Sequence, residues 1–352
     1  MRFFHSCRRM LTTRACADRP VSPISGFLID LDGTMYTPTG MVPGADSFLR
    51  FLRSRKIPHV FCSNTGAKGW QGVQSRLVDV GITPAEDEPV SHRHIYTAAE
   101  AQVQYMVDHI QPGSRVFVFA GGNAATMETS FWMKLLKTRD PELVKTWDVR
   151  TFLTEAEAKE WGEVAATARA AGNSVSMPHV CIFSDGSISS VPDPCTGELG
   201  FADWSFDVIK KAGYLLSHGA PLVCTAEDSF NMRADGWPLP GPGMITSMFR
   251  TLLYPLDKNI IICGKGGAVG NQYMMDHAIA MLCEQGHSGR REEILMVGDR
   301  FDTDMRAGTR SGIRTCLVES GCHSLDLAPH YPTDRVDYVV SSVAELRSEH
   351  SS

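Results

Sequence analysis

Apolar positions in the chain fall into two alternating patterns. Short continuous runs come first, in "GFLID" (26–30) and "IPHVFCSN" (57–64). Between and after them lie stretches with helical spacing. In "GADSFLRFLRSRKI" (44–57) the residues Phe48, Leu49, Phe51 and Leu52 recur on one side, and "WQGVQSRLVDVGI" (70–82) stops near Gly81. Strand, helix, strand, helix predicts a parallel sheet with crossover helices, and strands buried on both faces must be continuously apolar, as these are. The pattern resumes late, with runs at "APLVCT" (220–225), "NIIICG" (259–264), "EILMVGD" (293–299), "IRTCLV" (313–318) and "VDYVV" (336–340). Helical segments are expected at 274–286 and 304–312. The expected fold class is α/β, a Rossmann-like, doubly wound parallel sheet.

The middle of the chain reads differently. Helices are expected over 98–110 and 155–172, strands over 115–121 and 179–185, and a long Gly-, Pro- and Ser-rich loop over 185–204. This is a second α/β unit inserted in the first. The expected division is a core of 23–97 and 213–346, an inserted cap of 98–212, and a tail of 347–352.

Composition narrows the functional classes. At 352 residues the chain has room for two domains, and 43% hydrophobic with 21% charged content is a soluble globular balance. A net charge of −6 gives no electrostatic case for nucleic acid, and no apolar run is long enough to span a bilayer. The ten cysteines show no CxxC pairing and read as reduced core thiols. Residues 1–22 are different: Arg2, Arg8, Arg9, Arg14 and Arg19 occur with no acid before Asp18, the composition of a mitochondrial transit peptide or a disordered basic tail. The compartment expected is mitochondrial or cytoplasmic.

The candidate chemistry sits at strand ends. Asp30 with Asp32, Ser63 with Asn64, Lys265, and Asp299 each follow an apolar run. In an open parallel sheet the carboxyl ends of the strands meet at one crevice, so four points far apart in sequence are expected to converge. A hard cation such as Mg²⁺ takes oxygen ligands, here the carboxylates of Asp30 and Asp299 and the backbone carbonyl of Asp32. Asp30 is then placed to attack phosphorus and form an aspartyl-phosphate, with Asp32 as acid and base for the leaving oxygen and for water. Ser63, Asn64 and Lys265 are suited to hold phosphate oxygens.

These segments also resemble a known family. "DLDGTMY" (30–36), "FCSN" (61–64), Gly264-Lys265 and "GDRFDTD" (298–304) resemble, in order and spacing, the four motifs of the haloacid dehalogenase-like hydrolases. "MVPGA" (41–45), "GDRFDTDMRAG" (298–308) and "LVESG" (317–321) are similar to the NagD-type branch, with its p-nitrophenylphosphatases, phosphoglycolate phosphatases and large C2-type cap. The resemblance spans about residues 26–345 and is thinnest in the cap. It implies Asp30 as nucleophile, Asp32 as acid/base, and Asp30, Asp32 and Asp299 around Mg²⁺. It also implies Ser63, Asn64 and Lys265 on phosphate, Asp304 in support of metal waters or the lysine, a small phosphorylated substrate, and a homodimer through the cap. Asp185 and the 185–204 loop are expected to contact substrate. Two departures stand out. Gly266 replaces the branch's usual proline after the lysine, which predicts a more loosely held Lys265. "TAED" (225–228) replaces a T-N-P-D-like turn, which predicts weaker loop support near the site.

Blander roles compete. Asp304 is placed to cap the following helix, His92 and His94 read as a loop, and Gly121-Gly122 lacks the spacing of a phosphate loop. Cys62 and Cys263, beside site residues, are candidates for oxidation sensitivity. The leading reading is a Mg²⁺-dependent phosphatase. The rivals are a catalytically weak binder of a phosphometabolite or protein, a phosphomutase and a dehalogenase.

Overall fold

The computed structural model describes residues 23–82, 90–120, 130–151, 153–183, 206–232, 238–255, 259–266 and 273–347. The expected presequence, the 185–204 loop, Asp185 and Gly121-Gly122 lie outside the described residues. The chain begins with β1 (Gly26–Ile29), a hairpin of β2 (Tyr36–Thr37) and β3 (Gly40–Met41), then α1 (Ala45–Ser54), β4 (His59–Ser63), α2 (Trp70–Asp79) and β5 (Ile95–Thr97). There follow α3 (Ala98–His109), β6 (Arg115–Phe119), α4 (Phe131–Arg139), α5 (Pro141–Thr146), β7 (Asp148–Arg150), α6 (Glu155–Ala170) and β8 (His179–Ile182). Next are α7 (Phe206–Ser217), β9 (Leu222–Cys224), a hairpin of β10 (Phe230–Met232) and β11 (Pro238–Pro240), α8 (Pro242–Leu253) and β12 (Ile260–Ile262). The last are α9 (Tyr273–Glu284), β13 (Ile294–Gly298), α10 (Arg306–Arg310), β14 (Arg314–Val318) and β15 (Tyr338–Val340).

The long strands form two parallel sheets. The first has the order β15-β14-β13-β1-β4-β5, the second β12-β9-β8-β6-β7. In the first, the connections leave β1 toward β4 on one side and return through β13 on the other. That reversal opens a crevice at the carboxyl end of β1, between β4 and β13. Asp30, Ser63 and Asp299 therefore emerge side by side.

The division expected from sequence is corrected at one boundary. The runs at 220–225 and 259–264 were expected in the first sheet, because the core was expected to resume at residue 213. They form β9 and β12 and extend the second sheet instead, with Leu222 opposite Val180 and Ile260 opposite Leu222. A short apolar run states that a strand is buried on both faces but not which neighbour it pairs with. Strand β5, helices α4 and α5 and strand β7 were not foreseen. The two strands are three residues each, too short to show a period.

The helices follow their apolar faces. Helix α1 buries Phe48, Leu49 and Leu52, and α2 buries Val73 and Leu77, all in one cluster with Phe27, Ile29 and Phe61 of the first sheet. Each such side chain contributes about 1.5–3 kcal/mol of transfer energy. Helices α3 and α9 lie between the sheets: Ala98, Val103, Met106, Met275 and Leu282 share one cluster with Leu28 and Val60 of the first sheet and Val118 and Val223 of the second. The two α/β units thus share a continuous core. Helix α3 starts on a capping box, in which the Glu100 amide donates to Thr97 Oγ1 (3.2 Å) and the Thr97 amide to Glu100 Oε2 (2.9 Å). Among the described residues, no helix is long and apolar enough to cross a membrane.

Candidate active site

Strand β1 ends in a tight turn that sets the two acids apart. The amides of Thr34, Met35 and Tyr36 all donate to the Leu31 carbonyl, at 3.2, 2.8 and 3.1 Å. Asp30 stays with the buried end of the strand, 7% exposed, while Asp32 is thrown toward the opening. Both border a cavity of about 540 Å³ that Ser63, Asn64, Lys265 and Arg300 also line. Asp30, Asp32, Ser63, Asn64 and Lys265 therefore converge on one cavity, with Asp299 and Asp304 grouped with Asp30 beside it.

At its floor, Lys265 Nζ donates to Asp30 Oδ1 and, at 2.7 Å, to Asp304 Oδ1. The lysine side chain is 1% exposed. Burial alone would lower its pKa, but Asp30 and Asp304 outweigh that and raise it, so it stays an ammonium. Asp304 also accepts from the Arg300 amide at 3.1 Å. It turns back to the lysine and caps no helix, and the chain passes it in one π-type turn (Phe301–Met305) before α10. Burial and then Asp30 push its carboxyl up to about 6, against the pull of Lys265.

Asp299 is the most crowded acid. Its Oδ2 accepts from the Cys322 amide at 2.6 Å, while its buried Oδ1 has no hydrogen-bond partner. Glycine frames this carboxylate: a Cβ on Gly33 would lie 2.2 Å from Oδ2 and one on Gly321 2.0 Å from it. Burial, then Asp30 and Asp304, hold its pKa well above the usual carboxylate range. One oxygen each of Asp30, Asp299 and Asp304 lies within 4.8 Å of the others. Three clustered carboxylates, two of them paired with Lys265 and the third with a buried oxygen unpartnered, fit a divalent cation. Asp304 gives one oxygen to Lys265 and the other to the Arg300 amide, whereas Asp299 keeps Oδ1 unpartnered.

Two expectations change. Asn64 was expected on phosphate, yet both ends of its amide are committed. Its Oδ1 accepts from the Lys265 amide at 2.8 Å, and its Nδ2 donates to Asp228 Oδ2 at 2.8 Å and to the Lys265 carbonyl at 3.3 Å. Gly266 was expected to loosen Lys265. It stands at φ +91°, and a Cβ there would lie 2.5 Å from the Asp302 carbonyl oxygen. Proline, fixed near −65°, cannot occupy that position, so here glycine brings the lysine loop against the Asp302 backbone. Ser63, buried, accepts from the Thr65 amide at 3.3 Å and keeps its hydroxyl proton to donate into the cavity.

The sequence reading missed Arg300 and Asp228. Arg300 grips Asp302 with two bonds, of 3.0 and 2.7 Å, and reaches across to Ser229 Oγ (3.1 Å), the Phe230 carbonyl (3.3 Å) and the Phe230 ring (4.8 Å). A basic residue inside the acidic "GDRFDTD" was the available signal. Burial, eased by Arg300, pushes the Asp228 carboxyl up to about 6. The thiols at Cys62 and Cys263 are core residues, as the composition predicts, and so poor candidates for oxidation. Cys62 and Cys263 are fully buried, with burial pushing Cys62 up to about 12 and Cys263 well up; Cys322 is exposed beside Asp299, yet its surroundings and then Asp299 push it up to about 12 as well. Buried thiols of high pKa are inert.

Comparison with known proteins agrees with this geometry. Residues 27–129 match the family described as haloacid dehalogenase-like hydrolase, and residues 269–346 a family described as HAD-hydrolase-like. A dihydroxyacetone phosphatase of Corynebacterium glutamicum is 24% identical over 320 residues, covering 91% of this chain and 90% of that protein. In fold, the chain is similar to NagD of E. coli K-12 (TM-score 0.58, 21% identity, 92% of this chain and 98% of that one). It is also similar to a glycerol phosphate phosphatase of Mycobacterium tuberculosis in complex with magnesium (TM-score 0.58, 18% identity, 92% and 76%). With its four motifs gathered around one cavity on a doubly wound sheet, the chain belongs to the haloacid dehalogenase-like hydrolases, and its fold is that of their NagD-type branch.

Proposed function

We propose that the protein is a phosphatase that hydrolyses a small phosphorylated metabolite through an aspartyl-phosphate on Asp30. The observation that carries this reading is the buried grouping of Asp30, Asp299 and Asp304, the first and last paired with Lys265, beside a cavity that Asp30 and Asp32 line. Asp30 and Asp299, with the Asp32 carbonyl, would hold Mg²⁺, which supplies positive charge against the phosphate and keeps Asp30 ionised. The relatives with phosphatase names and the magnesium complex of a structural neighbour support the substrate class and the cation.

The chain's own groups divide the work. Asp30 attacks phosphorus while the bond to the leaving oxygen breaks. Asp32, at the opening with its carboxyl raised by the protein walls around it and by Asp228, carries a proton to that oxygen. The resulting Asp32 carboxylate then takes a proton from water, whose oxygen attacks the phosphorus of the aspartyl-phosphate; inorganic phosphate leaves and Asp30 is restored. Lys265 and the Ser63 hydroxyl balance charge on the transferring group. A dehalogenase would have no use for Asp32. The weak-binder reading rested on the altered third motif, and Lys265 is in place despite it.

The test is phosphate release from p-nitrophenyl phosphate and a metabolite panel, with and without Mg²⁺. Asp30→Asn should be folded and inactive. Borohydride quenching during turnover should convert the phosphorylated Asp30 to homoserine, visible as a mass change. Wild-type protein that is folded, saturated with Mg²⁺ and silent on the whole panel would refute the assignment.

A further inference from the structure

Lys265 reaches the acids from the second sheet, since it follows β12. Asn64 follows β4 of the first sheet and pins the lysine backbone at both its amide and its carbonyl. An asparagine amide is symmetric in shape but not in chemistry: one end accepts and the other donates. Only Oδ1 can receive the Lys265 N–H. Something must therefore hold the amide in that orientation. The Asp228 carboxylate, which follows β9 beside β12, accepts from Nδ2 at 2.8 Å. Turned over, Asn64 would set its carbonyl oxygen against a carboxylate and its donor against the Lys265 N–H, two repulsive contacts in place of two bonds.

We infer that Asp228 is a positioning residue which, by orienting the Asn64 amide, fixes the Lys265 backbone so that its ammonium meets Asp30 and Asp304. Asn64 is a clamp between two strand ends of the second sheet, and it ties that sheet to the first at the point where the reaction occurs. Asp228 reaches the lysine backbone through Asn64; it also lines the cavity, where its charge raises the Asp32 carboxyl. The geometry also accounts for Gly264, where a Cβ would lie 2.7 Å from Asn64 Oδ1 and 2.6 Å from the Thr225 carbonyl. This inference rests on the proposed phosphatase reading for its kinetic consequences, though not for the clamp itself.

The experiment is a double-mutant cycle with Asp228→Ala, Asn64→Ala and the pair. Each single change is expected to lower kcat/KM by about tenfold to a hundredfold, the scale of a small misplacement of a reacting group. The pair should be no worse than Asn64→Ala alone, because both remove the same device. Asp228→Asn keeps a carbonyl acceptor for Asn64 and should stay within a few-fold of wild type. Inorganic phosphate should inhibit Asp228→Ala more weakly than it inhibits wild type. Hydrogen–deuterium exchange at the Lys265 amide should quicken in Asp228→Ala, with a melting point close to wild type. Losses that multiply in the pair, or an Asp228→Ala enzyme equal to wild type, would overturn the relay. If the wild type shows no phosphatase activity, the functional assignment fails. The exchange rate at Lys265 then decides the clamp independently, an unchanged rate in Asp228→Ala refuting it.

Discussion

Replacing Gly266 by proline restores the residue common to the NagD-type branch, yet in this chain it should do harm. The position has φ +91°, and proline is held near −65°, so the loop cannot keep its path. Alanine is the milder probe. A left-handed non-glycine residue costs about 1–2 kcal/mol. The added Cβ would also lie 2.5 Å from the Asp302 carbonyl oxygen and 2.9 Å from Thr303 Cα, backbone atoms that cannot swing aside. Overpacking of that kind adds about 1–3 kcal/mol. The total for Gly266→Ala is about 2–5 kcal/mol, or roughly 4–10 °C in melting temperature at about 2 °C per kcal/mol. Because Gly266 follows Lys265 directly, part of that strain will appear as displacement of the ammonium from Asp30. A displacement of about 1 Å corresponds to about a hundredfold loss in kcat/KM. Differential scanning fluorimetry and p-nitrophenyl phosphate turnover measure the two effects separately. A Gly266→Pro protein as stable and as active as wild type would refute the reasoning.

The remaining predictions concern charge. Divalent cation should raise the melting temperature of wild type, by about 2.7 kcal/mol of stabilisation at a hundredfold excess over Kd, and leave Asp299→Asn unmoved; in EDTA that variant should be the more stable protein, since its crowded, unpartnered carboxylate is gone. Lys265→Met in EDTA at pH 8 should lose about 3–5 kcal/mol, because Asp30, Asp299 and Asp304 are left without a buried cation. The loss should shrink toward pH 5.5 as carboxyls with raised pKa take up protons, and a loss independent of pH would count against the reading. His59, whose buried ring is lowered to about 4, gives a different pH signature. Its unfolded form protonates near 6.5 while the folded form does not. Stability from this residue is therefore full above pH 6.5 and lost as pH falls toward 4, at up to about 1.4 kcal/mol per pH unit. His59→Asn should flatten that slope, and a melting temperature as steeply pH-dependent as that of wild type would exclude His59 as its source.

The sequence alone determined the class of the fold and which acids stand at its strand ends, and the reason is local. Continuous apolar runs such as "GFLI" and "ILMVG" must be buried on both faces, which only a covered parallel sheet provides, and carboxylates at their ends require a site. Asp30 with Asp32, Asp299 and Lys265 were legible because they stand at the ends of three apolar runs. What pairs with what was not legible. The runs at 222–224 and 260–262 carry the same apolar signal as β1, and only the register of the second sheet shows that the lysine comes from a different sheet than Asp30. Nor can a residue type reveal its orientation. Asn64 as a letter suits a phosphate as well as a backbone clamp, and Gly266 as a letter suggests slack. The positions of Asp228 and the Asp302 backbone, 164 and 36 or more residues away, make the first a clamp and the second a close fit. Burial and hydrogen-bond partnership are sums over neighbours contributed by distant segments, so they exist only once the chain has folded.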